Sequence, residues 1–563
     1  MRFYLSILIL ALFATACGPL PNLMGSTPLP PTPRPPTRTP LPTTLPSPTP
    51  FPTATLAGPT STLAPNVPTA TIERSTLWVH PAVPMALIEQ IQAAGVTLSQ
   101  TKELATANLE VVDSGGTQWI YALVAPFPTV TDDVAIADLR AAWVGTKAGS
   151  FGGLPLRMTE STRAAFSAIW GEPAPGAVLT ESRERMVDSA WNARPSWALV
   201  PFEDIGPRWK VLGIDGQSPL RKNFDAETYP LKVNFAFTPP DFRLSTFDLP
   251  PSNRDPKKLT TVILTGVTAL VRATAKTMDV KGITYPGRDY REIFREADIL
   301  HINNEAPFYG GCPDPDPGQR GLVFCSATRY IQLLTDIGTD VVELSGDHFS
   351  NYGVEAMNET LEIYKEANIK IYGGGANIHE GKAPLLLTVN GNKIMFIGCN
   401  IKSIYATATD TRPGAVACDF PYMGEQIAKY RAEGYLPIAT FQYHEYSSPE
   451  ARPEQVYDFR RQAEAGAVIV SGSQAHLPQV MEFYSGAFIH YGLGNLFFDQ
   501  MGDDPNDVVP TRLEFIDRHV FYDGKYLGVE LLTAMLEDYS RPRPMTLQER
   551  IKLLTDYFGY SGW

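Results

Sequence analysis

The side chains best suited to chemistry in this sequence are carboxylates and imidazoles that follow apolar, strand-like runs. Glu305, Asp347, His348 and His476 each lie just after such a run, and seven of the eight histidines fall between residues 301 and 519. Loops that follow neighbouring strands meet at one edge of a sheet, so these groups can gather as a divalent metal site requires. The same groups would also form the polar rim of a pocket that binds no metal.

The elements that must position these residues alternate between strand and helix patterns. The strand candidates are 259–266, 298–303, 340–346, 369–374, 436–443 and 467–472. Apolar residues at helical spacing lie between them, as in the stretch that begins at Pro453 and ends before Gly466. This rhythm predicts an α/β fold in which helices cover a sheet or a pair of sheets. Farther along, Asp523-Gly524 predicts a hairpin between 513–521 and 526–532, and 547–558 predicts a final packed helix.

Six sequence blocks in this region carry a family resemblance. They read GVTALVR (266–272), ADILHINNE (297–305), DVVELSGDHFSNYG (340–353), FQYHEY (441–446), GAVIVSGSQAH (466–476) and LGNLFFDQ (493–500). Their order resembles the CapA family of capsule-synthesis proteins associated with poly-γ-glutamate, whose domain is similar to the calcineurin-like metallophosphoesterases. The resemblance implies a metallophosphoesterase-type sandwich over residues 255–563. It also implies that Glu305, His348 and His476 serve metal binding or catalysis.

The chain departs from the family pattern at several site positions. The replacements are Val267 for an aspartate, Asp347 for an asparagine, and Ser473 and Gln474 for two histidines, while Phe441 falls at a ligand position with His444 nearby. A two-ion centre needs a bridging carboxylate and several ligands for each ion, and valine has no lone pair to offer. We therefore expect a weakened metal site.

Two hypotheses follow for what the domain does. In one, it is a metal-dependent hydrolase of a phosphoester-like or amide-like bond. Glu305, His444 and His476 then bind Mn, Zn or Fe together with Asp347, and His348 acts as general acid or electrostatic stabiliser. In the other, the metal is lost and the pocket binds an acidic envelope polymer during its synthesis, assembly or anchoring. Whether the protein is an enzyme stays open between them.

Three further residues are candidates for contacting the polymer or substrate. Arg272 matches an arginine of the family, and Asn304 and Asn351 lie inside matched blocks. For Arg272 the alternative is a structural or solvated ion pair. The net charge of −13 argues against gripping a polyanion over a wide surface, and no basic stripe or nucleic-acid motif is present. We therefore expect local polymer contacts and no nucleic-acid partner.

The N-terminus predicts export and a lipid anchor. Met1-Arg2, an apolar run and Ala14-Thr15-Ala16-Cys17 resemble a bacterial lipobox, with residues 1–17 as the signal and Cys17 as the lipidated residue. An ordinary cleaved signal is the alternative. Residues 18–72 are rich in Pro and Thr, which predicts a disordered, semi-rigid spacer. The protein is thus expected at the outer face of the cell membrane.

The four remaining cysteines agree with an oxidising compartment. Pairing by proximity in sequence would join Cys312 to Cys325 and Cys399 to Cys418 and pin two loops that contain Gly and Pro. Four cysteines allow three pairings, and a zinc site is the competing interpretation. Because no C-x-x-C pair occurs, we favour disulfides.

Residues 73–244 are expected to form a smaller α/β domain. The strand-like run 119–125, a proline break and a helix from Val134 to Trp143, with Asp132 or Asp133 as its cap, resemble a lobe of phosphate-type solute-binding proteins. There, a helix N-terminus faces an anion. The alternative is a purely structural α/β module.

Overall fold

The structure, a computed structural model, describes residues 76–147, 149–244, 246–402, 407–502 and 507–563. The predicted signal, Cys17 and the predicted Pro/Thr spacer lie outside these residues. Within the described ranges, no helix combines the length and the apolar character needed to cross a membrane.

Strands occur throughout the described chain, and several of the shortest have only two residues. They are β1 (Thr76–Val79), β2 (Thr97–Leu98), β3 (Ala107–Val112), β4 (Thr117–Pro126), β5 (Asp133–Val134), β6 (Leu156–Met158), β7 (Val178–Thr180), β8 (Trp197–Pro201), β9 (Trp209–Val211), β10 (Gly213–Ile214), β11 (Lys232–Thr238), β12 (Leu259–Thr268), β13 (Ile299–Asn304), β14 (Val341–Glu343), β15 (Lys370–Tyr372), β16 (Gly374–Gly375), β17 (Leu385–Val389), β18 (Asn392–Asn400), β19 (Gly414–Ala415), β20 (Leu436–Gln442), β21 (Ile469–Ser473), β22 (Met481–Tyr484), β23 (Ala487–His490), β24 (Asn495–Phe497), β25 (Leu513–Tyr522), β26 (Lys525–Glu537) and β27 (Arg541–Pro544).

Helices separate many of these strands. They are α1 (Met85–Ala93), α2 (Ile136–Trp143), α3 (Glu160–Trp170), α4 (Arg183–Asn192), α5 (Arg272–Lys281), α6 (Arg291–Glu296), α7 (Ile331–Asp336), α8 (Gly353–Glu366), α9 (Ile378–Lys382), α10 (Phe420–Ala432), α11 (Pro453–Glu464) and α12 (Leu547–Tyr560).

The strands form three larger sheets that follow the order of the chain. The first, here called the N-terminal sheet, has the order β2-β1-β3-β11-β4-β8-β6-β7, with β9 paired to β4. The second has the order β15-β14-β13-β12-β25-β26-β27, with β24 beside β12, and the third has the order β17-β18-β20-β21-β23-β22. In the second sheet β12 to β15 run parallel, and in the third β18, β20, β21 and β23 do. Each of these two sheets therefore gathers several carboxyl strand ends along one edge.

Hydrophobic packing stacks the second and third sheets face to face. A buried cluster joins Leu264 and Val341 of the second sheet to Phe396 and Ile438 of the third. Helices α5 to α8 pack on the outer face of the second sheet and α10 and α11 on that of the third. The order of layers is helix, sheet, sheet, helix. This confirms the predicted α/β sandwich flanked by helices.

The N-terminal sheet shares its core with the sandwich. Leu259, Val520 and Leu527 belong to the same buried cluster as the residues of β1 to β11. Asp132 also accepts from Lys210 at 2.8 Å and from Arg550 Nε at 2.6 Å, so an ion pair crosses between the two parts. Apolar burial and this partly exposed ion pair both stabilise the contact between the N-terminal sheet and the sandwich. The apolar contacts contribute most of that stability.

Most element predictions from sequence agree with the structure, and one cap does not. The hairpin β25–β26 and the final helix α12 lie where the sequence places them, and Thr546 begins α12 with a capping box. Helix α2 begins at Ile136, two residues later than predicted, and Ala135 at its N-cap makes no side-chain hydrogen bond. Residues 133–134 form a short strand with β10 instead. Pairing of that strand takes Asp133 out of reach of the capping position.

Both cysteine pairs are disulfides. Cys312 bonds to Cys325 across 13 residues of sequence, and Cys399 bonds to Cys418 across 19. The predicted sequence-local pairing is confirmed. The second bridge closes the loop that leaves the end of β18.

Loss of the Cys399–Cys418 bridge should destabilise the protein measurably. A closed loop of about this length contributes about 3 kcal/mol to the free energy of unfolding, mainly by restricting the unfolded chain. The double variant Cys399→Ser/Cys418→Ser should therefore show that loss in urea unfolding without reductant. Dithiothreitol should lower the stability of the wild type by more than that of the variant, which has one bridge fewer to lose. Unchanged unfolding of the variant would contradict this account.

A polar chain runs through the core between the two stacked sheets. His301, which is 2% exposed, shares a 2.7 Å hydrogen bond through Nε2 with the Tyr372 hydroxyl, which in turn lies 2.7 Å from Thr440 Oγ1. Burial lowers the pKa of His301 to about 3, so the imidazole is neutral in the folded protein.

Acidification should lower the free energy of unfolding, because His301 is neutral in the folded protein. Below pH ~6.5 the unfolded chain protonates His301 while the folded chain does not, so stability falls with pH between ~6.5 and ~3. By pH 5 this one group should cost about 2 kcal/mol. Unfolding free energies at pH 7 and pH 5 should differ less in His301→Gln than in the wild type. The exposed His379→Gln should behave as the wild type, and equal losses in all three proteins would refute the assignment.

Candidate functional site

A carboxylate cluster lies at the strand ends of the second sheet. Glu305 follows β13 directly, and Asp347 and His348 lie in the turn after β14. One ligand atom of each of the three lies within 4.8 Å of the others, a spacing that could hold a metal ion. Gly346 permits this approach, because a Cβ there would lie 2.6 Å from the Glu305 Cα. We call Glu305, Asp347 and His348 the carboxylate cluster.

The two carboxyl groups of the cluster differ in protonation. Burial, followed by the charge of Asp347, raises the pKa of Glu305 well above its usual range. Burial opposes ionisation of Asp347 too, but a hydrogen bond from Glu305 and the charges of His348 and Lys402 hold its pKa below the usual value. The surroundings therefore favour the protonated form of Glu305 and the ionised form of Asp347, as expected when two carboxyl groups share a buried site.

Side chains from the third sheet reach the same two carboxyl groups. Gln442, at the end of β20, donates through Nε2 to Glu305 Oε1 and to Asp347 Oδ1, each at 3.2 Å. With the Gln474 amide turned so that its nitrogen faces the carboxyl groups, Nε2 lies 2.9 Å from Glu305 Oε1 and Oε1 accepts from Lys402 Nζ at 2.8 Å. Lys402 Nζ also lies 3.0 Å from Asp347 Oδ2. The carboxylate cluster is thus covered by two amides and an ammonium group.

His348 is held by the loop that the first disulfide closes. Its Nδ1 lies 2.8 Å from Asn351 Oδ1, which also accepts from the Phe324 backbone amide at 2.9 Å. The Phe324 ring lies 4.6 Å from the His348 ring. Cys325 follows Phe324 and is bonded to Cys312, so the bridge fixes the segment that supports His348.

His476 lies near the cluster without belonging to it. Its Nδ1 shares a 2.8 Å hydrogen bond with Asn495 Oδ1, and its ring stacks on Phe498 at 4.8 Å. Burial lowers its pKa, while Asn495 and the charges of Glu445 and Asp347 act in the opposite direction. The side chain is therefore a neutral imidazole beside the cluster.

The remaining candidates have other surroundings. Arg272 pairs with Asp499 through Nε at 3.1 Å, in agreement with the structural ion-pair alternative. Asn304 donates to the Tyr364 hydroxyl at 2.6 Å and to the Ala306 carbonyl at 2.9 Å. His444 is exposed against Tyr443 and Tyr446, and the structure does not bring it into the carboxylate cluster.

A two-ion centre does not fit the residues present. Val267 is fully buried in an apolar cluster with Ala306, Phe324 and Phe498, and Phe441 packs beneath α10 and α11. Among the described residues, the carboxylate cluster alone brings three metal-binding side chains together. The oxygens that an ion would use already accept hydrogen bonds from Gln442 and face Lys402. Glu305 Oε2 is the exception, since no described group donates to it.

Gln442 and Lys402 also belong to this site, although the sequence patterns did not single them out. Gln442 is the last residue of β20, a strand that the sequence predicted. Its position at the carboxyl end of that strand could have identified it as a site residue. Lys402 follows β18, whose apolar run 394–399 is a strand signal in itself.

Two aspartates hold the short sheet of β5 and β10 against the start of α2. Asp215 Oδ1 accepts from the Ile136 amide at 3.3 Å, and Asp133 Oδ2 accepts from the Gly216 amide at 2.8 Å. A carboxylate of the chain itself therefore accepts from the first amide of α2.

Comparison with known proteins matches the sandwich region to one family. The family model described as bacterial capsule synthesis protein PGA_cap matches residues 261–500. PGA biosynthesis protein CapA of Bacillus subtilis (strain 168) is 30% identical over 237 residues, which cover 41% of this chain and 60% of that protein. Capsule biosynthesis protein CapA of Bacillus anthracis is 23% identical over 257 residues, 45% of this chain and 62% of that protein. The chain spans less than two thirds of the length of these relatives.

Solved structures give weaker likenesses. A 5'-nucleotidase precursor from Thermus thermophilus covers 53% of this chain and 58% of its own, with 11% identity and a TM-score of 0.32. An ABC-type phosphate transport receptor from Vibrio cholerae covers 29% of this chain and 85% of its own, with 12% identity and a TM-score of 0.24. Nothing about ligand or activity follows from likenesses of this size. All six sequence blocks lie within residues 261–500, the region that matches the model of the bacterial capsule synthesis protein PGA_cap family.

Proposed function

We propose that this chain takes part in the synthesis, assembly or anchoring of an acidic envelope polymer of the poly-γ-glutamate type. The observation that carries the proposal is the PGA_cap match over residues 261–500, together with relatives that are named for capsule and PGA biosynthesis. The match includes every residue of the carboxylate cluster. The polymer would therefore meet the domain at this edge of the sandwich.

The proposed place of action is the outer face of the cell membrane. Cys17, in its lipobox-like context, would carry the lipid, and residues 18–72 would hold the folded part away from the bilayer. The two disulfides support an oxidising compartment, where such bonds persist. A protein in this place would act on finished or emerging polymer.

The site supports binding better than metal-assisted hydrolysis. Glu305 is neutralised by a proton, and Asp347 is paired with Lys402. The Lys402 side chain is 33% exposed, so its ammonium can also meet a carboxylate of the polymer. Arg272 is held by Asp499 and is less available for such a contact.

A second candidate function is a single-metal hydrolase at the cell surface. It is favoured by the spacing of Glu305, Asp347 and His348 and by the open lone pairs of Glu305 Oε2. Such an ion would have to displace Lys402 from Asp347, and it would supply Lewis-acid activation of a phosphoester or amide bond.

Deletion and complementation in the native host test the proposed function. Deleting the gene should reduce the polymer retained on the cells, measured by extraction and size-exclusion chromatography, and the wild-type gene should restore it. Lys402→Met should restore less than the control Lys365→Met, which changes an exposed lysine on α8. Unchanged polymer amount and location in the deletion strain would overturn the proposal.

Labelled palmitate and mass spectrometry test the anchor. The wild-type protein should incorporate the lipid, and Cys17→Ala should not, because the thiol is the site of attachment. The mature wild-type chain should begin at Cys17 with the added lipid mass. An unmodified N-terminus beyond residue 17 would contradict the lipid anchor.

A further inference from the structure

Lys402 is placed at the carboxylate cluster by the end of β18 and the second disulfide. Cys399, three residues earlier, is bonded to Cys418, and the Asn400 side chain donates to the Ser345 carbonyl at 2.6 Å. Asn400 Oδ1 also accepts from the Lys402 amide at 2.8 Å. The backbone before Lys402 is thus fixed to both the third sheet and the turn that carries Asp347.

The ammonium group of Lys402 makes the contacts that a bound cation would make. Nζ lies 3.0 Å from Asp347 Oδ2 and 3.4 Å from Glu445 Oε2, and with the Gln474 amide turned as described above it also lies 2.8 Å from Gln474 Oε1. All three partners are oxygens, and two belong to carboxyl groups. A compact ammonium on a flexible stem presents its charge to such a ring of oxygens as a point charge.

We propose that the ammonium group of Lys402 is the resident cation of this site. It supplies the positive charge that a divalent ion would supply in a metallophosphoesterase-like centre. The inference rests on the weakened metal site of the proposed function and deepens it by naming the group that keeps metal out.

Two effects oppose a divalent ion while Lys402 is present. The ammonium repels a second cation at the same oxygens, since like charges at this separation interact strongly in a partly buried site. The N–H groups of Gln442 also occupy lone pairs of Glu305 and Asp347 that an ion would need. Removal of the ammonium leaves Asp347, His348 and the open Glu305 Oε2 able to bind an ion together.

Manganese titration of the full mature protein tests the inference. Chelator-treated wild type, Lys402→Met, Lys402→Arg and Lys365→Met are titrated with Mn²⁺, and bound metal is measured by calorimetry and by the Mn²⁺ EPR signal. Lys402→Met should bind Mn²⁺ at least about tenfold more tightly than the wild type, to at most one ion per chain, which is a change of about 1.4 kcal/mol. Lys402→Arg keeps the charge and Lys365→Met lies elsewhere, so both should match the wild type.

Thermal unfolding provides a second measurement, which reports protein stability instead of the affinity for Mn²⁺. Lys402→Met leaves Asp347 without its ammonium partner, so this variant should melt below the wild type and regain stability with Mn²⁺. The wild type should gain little. If Lys402→Met binds Mn²⁺ no better than the wild type and is not stabilised by it, the inference about Lys402 is wrong and the weak site remains. If the wild type already binds one ion tightly, the weakened site of the proposed function fails as well.

Discussion

Two carboxyl groups buried side by side constrain the whole edge of the sandwich. Glu305 is 1% exposed and lies beside Asp347, in a place where an uncompensated negative charge is costly. The structure compensates them with a proton on Glu305, amides from Gln442 and Gln474, and the ammonium of Lys402. Each compensating side chain comes from the third sheet, while both carboxyl groups come from the second. The pairing of the two sheets therefore determines the electrostatics of the site.

A second layer of polar contacts holds the compensating groups. Asn303 donates to Glu343 at 3.1 Å, to Gln442 Oε1 at 3.3 Å and to Ser473 at 3.2 Å. Ser473 stands where the family pattern has a histidine, and here it donates to Gln442 Oε1 at 2.8 Å. The replaced positions are thus integrated into a hydrogen-bond network that orients Gln442. The network is not fully satisfied, since no described group donates to Asn303 Oδ1.

Sequence reasoning predicted the framework better than the site. The strands that carry Glu305, Asp347 and His476 were recognised from apolar runs, because burial on both faces leaves a continuous signal. The observed disulfides match the pairing by proximity in sequence, and the absence of a C-x-x-C pair had favoured disulfides over a zinc site. Lys402 and Gln442 escaped notice, because their roles depend on how the ends of two different sheets meet. His444 is exposed because the chain leaves β20 at Gln442, a change of direction that no local pattern indicates.

The carboxylate cluster is neutralised by the chain's own proton, amides and ammonium. Elemental analysis of the full protein, purified without chelator or added metal, tests this neutralisation most directly. The account predicts manganese, zinc and iron well below one ion per chain. One tightly held ion per chain that survives dialysis and disappears in Asp347→Ala would contradict it.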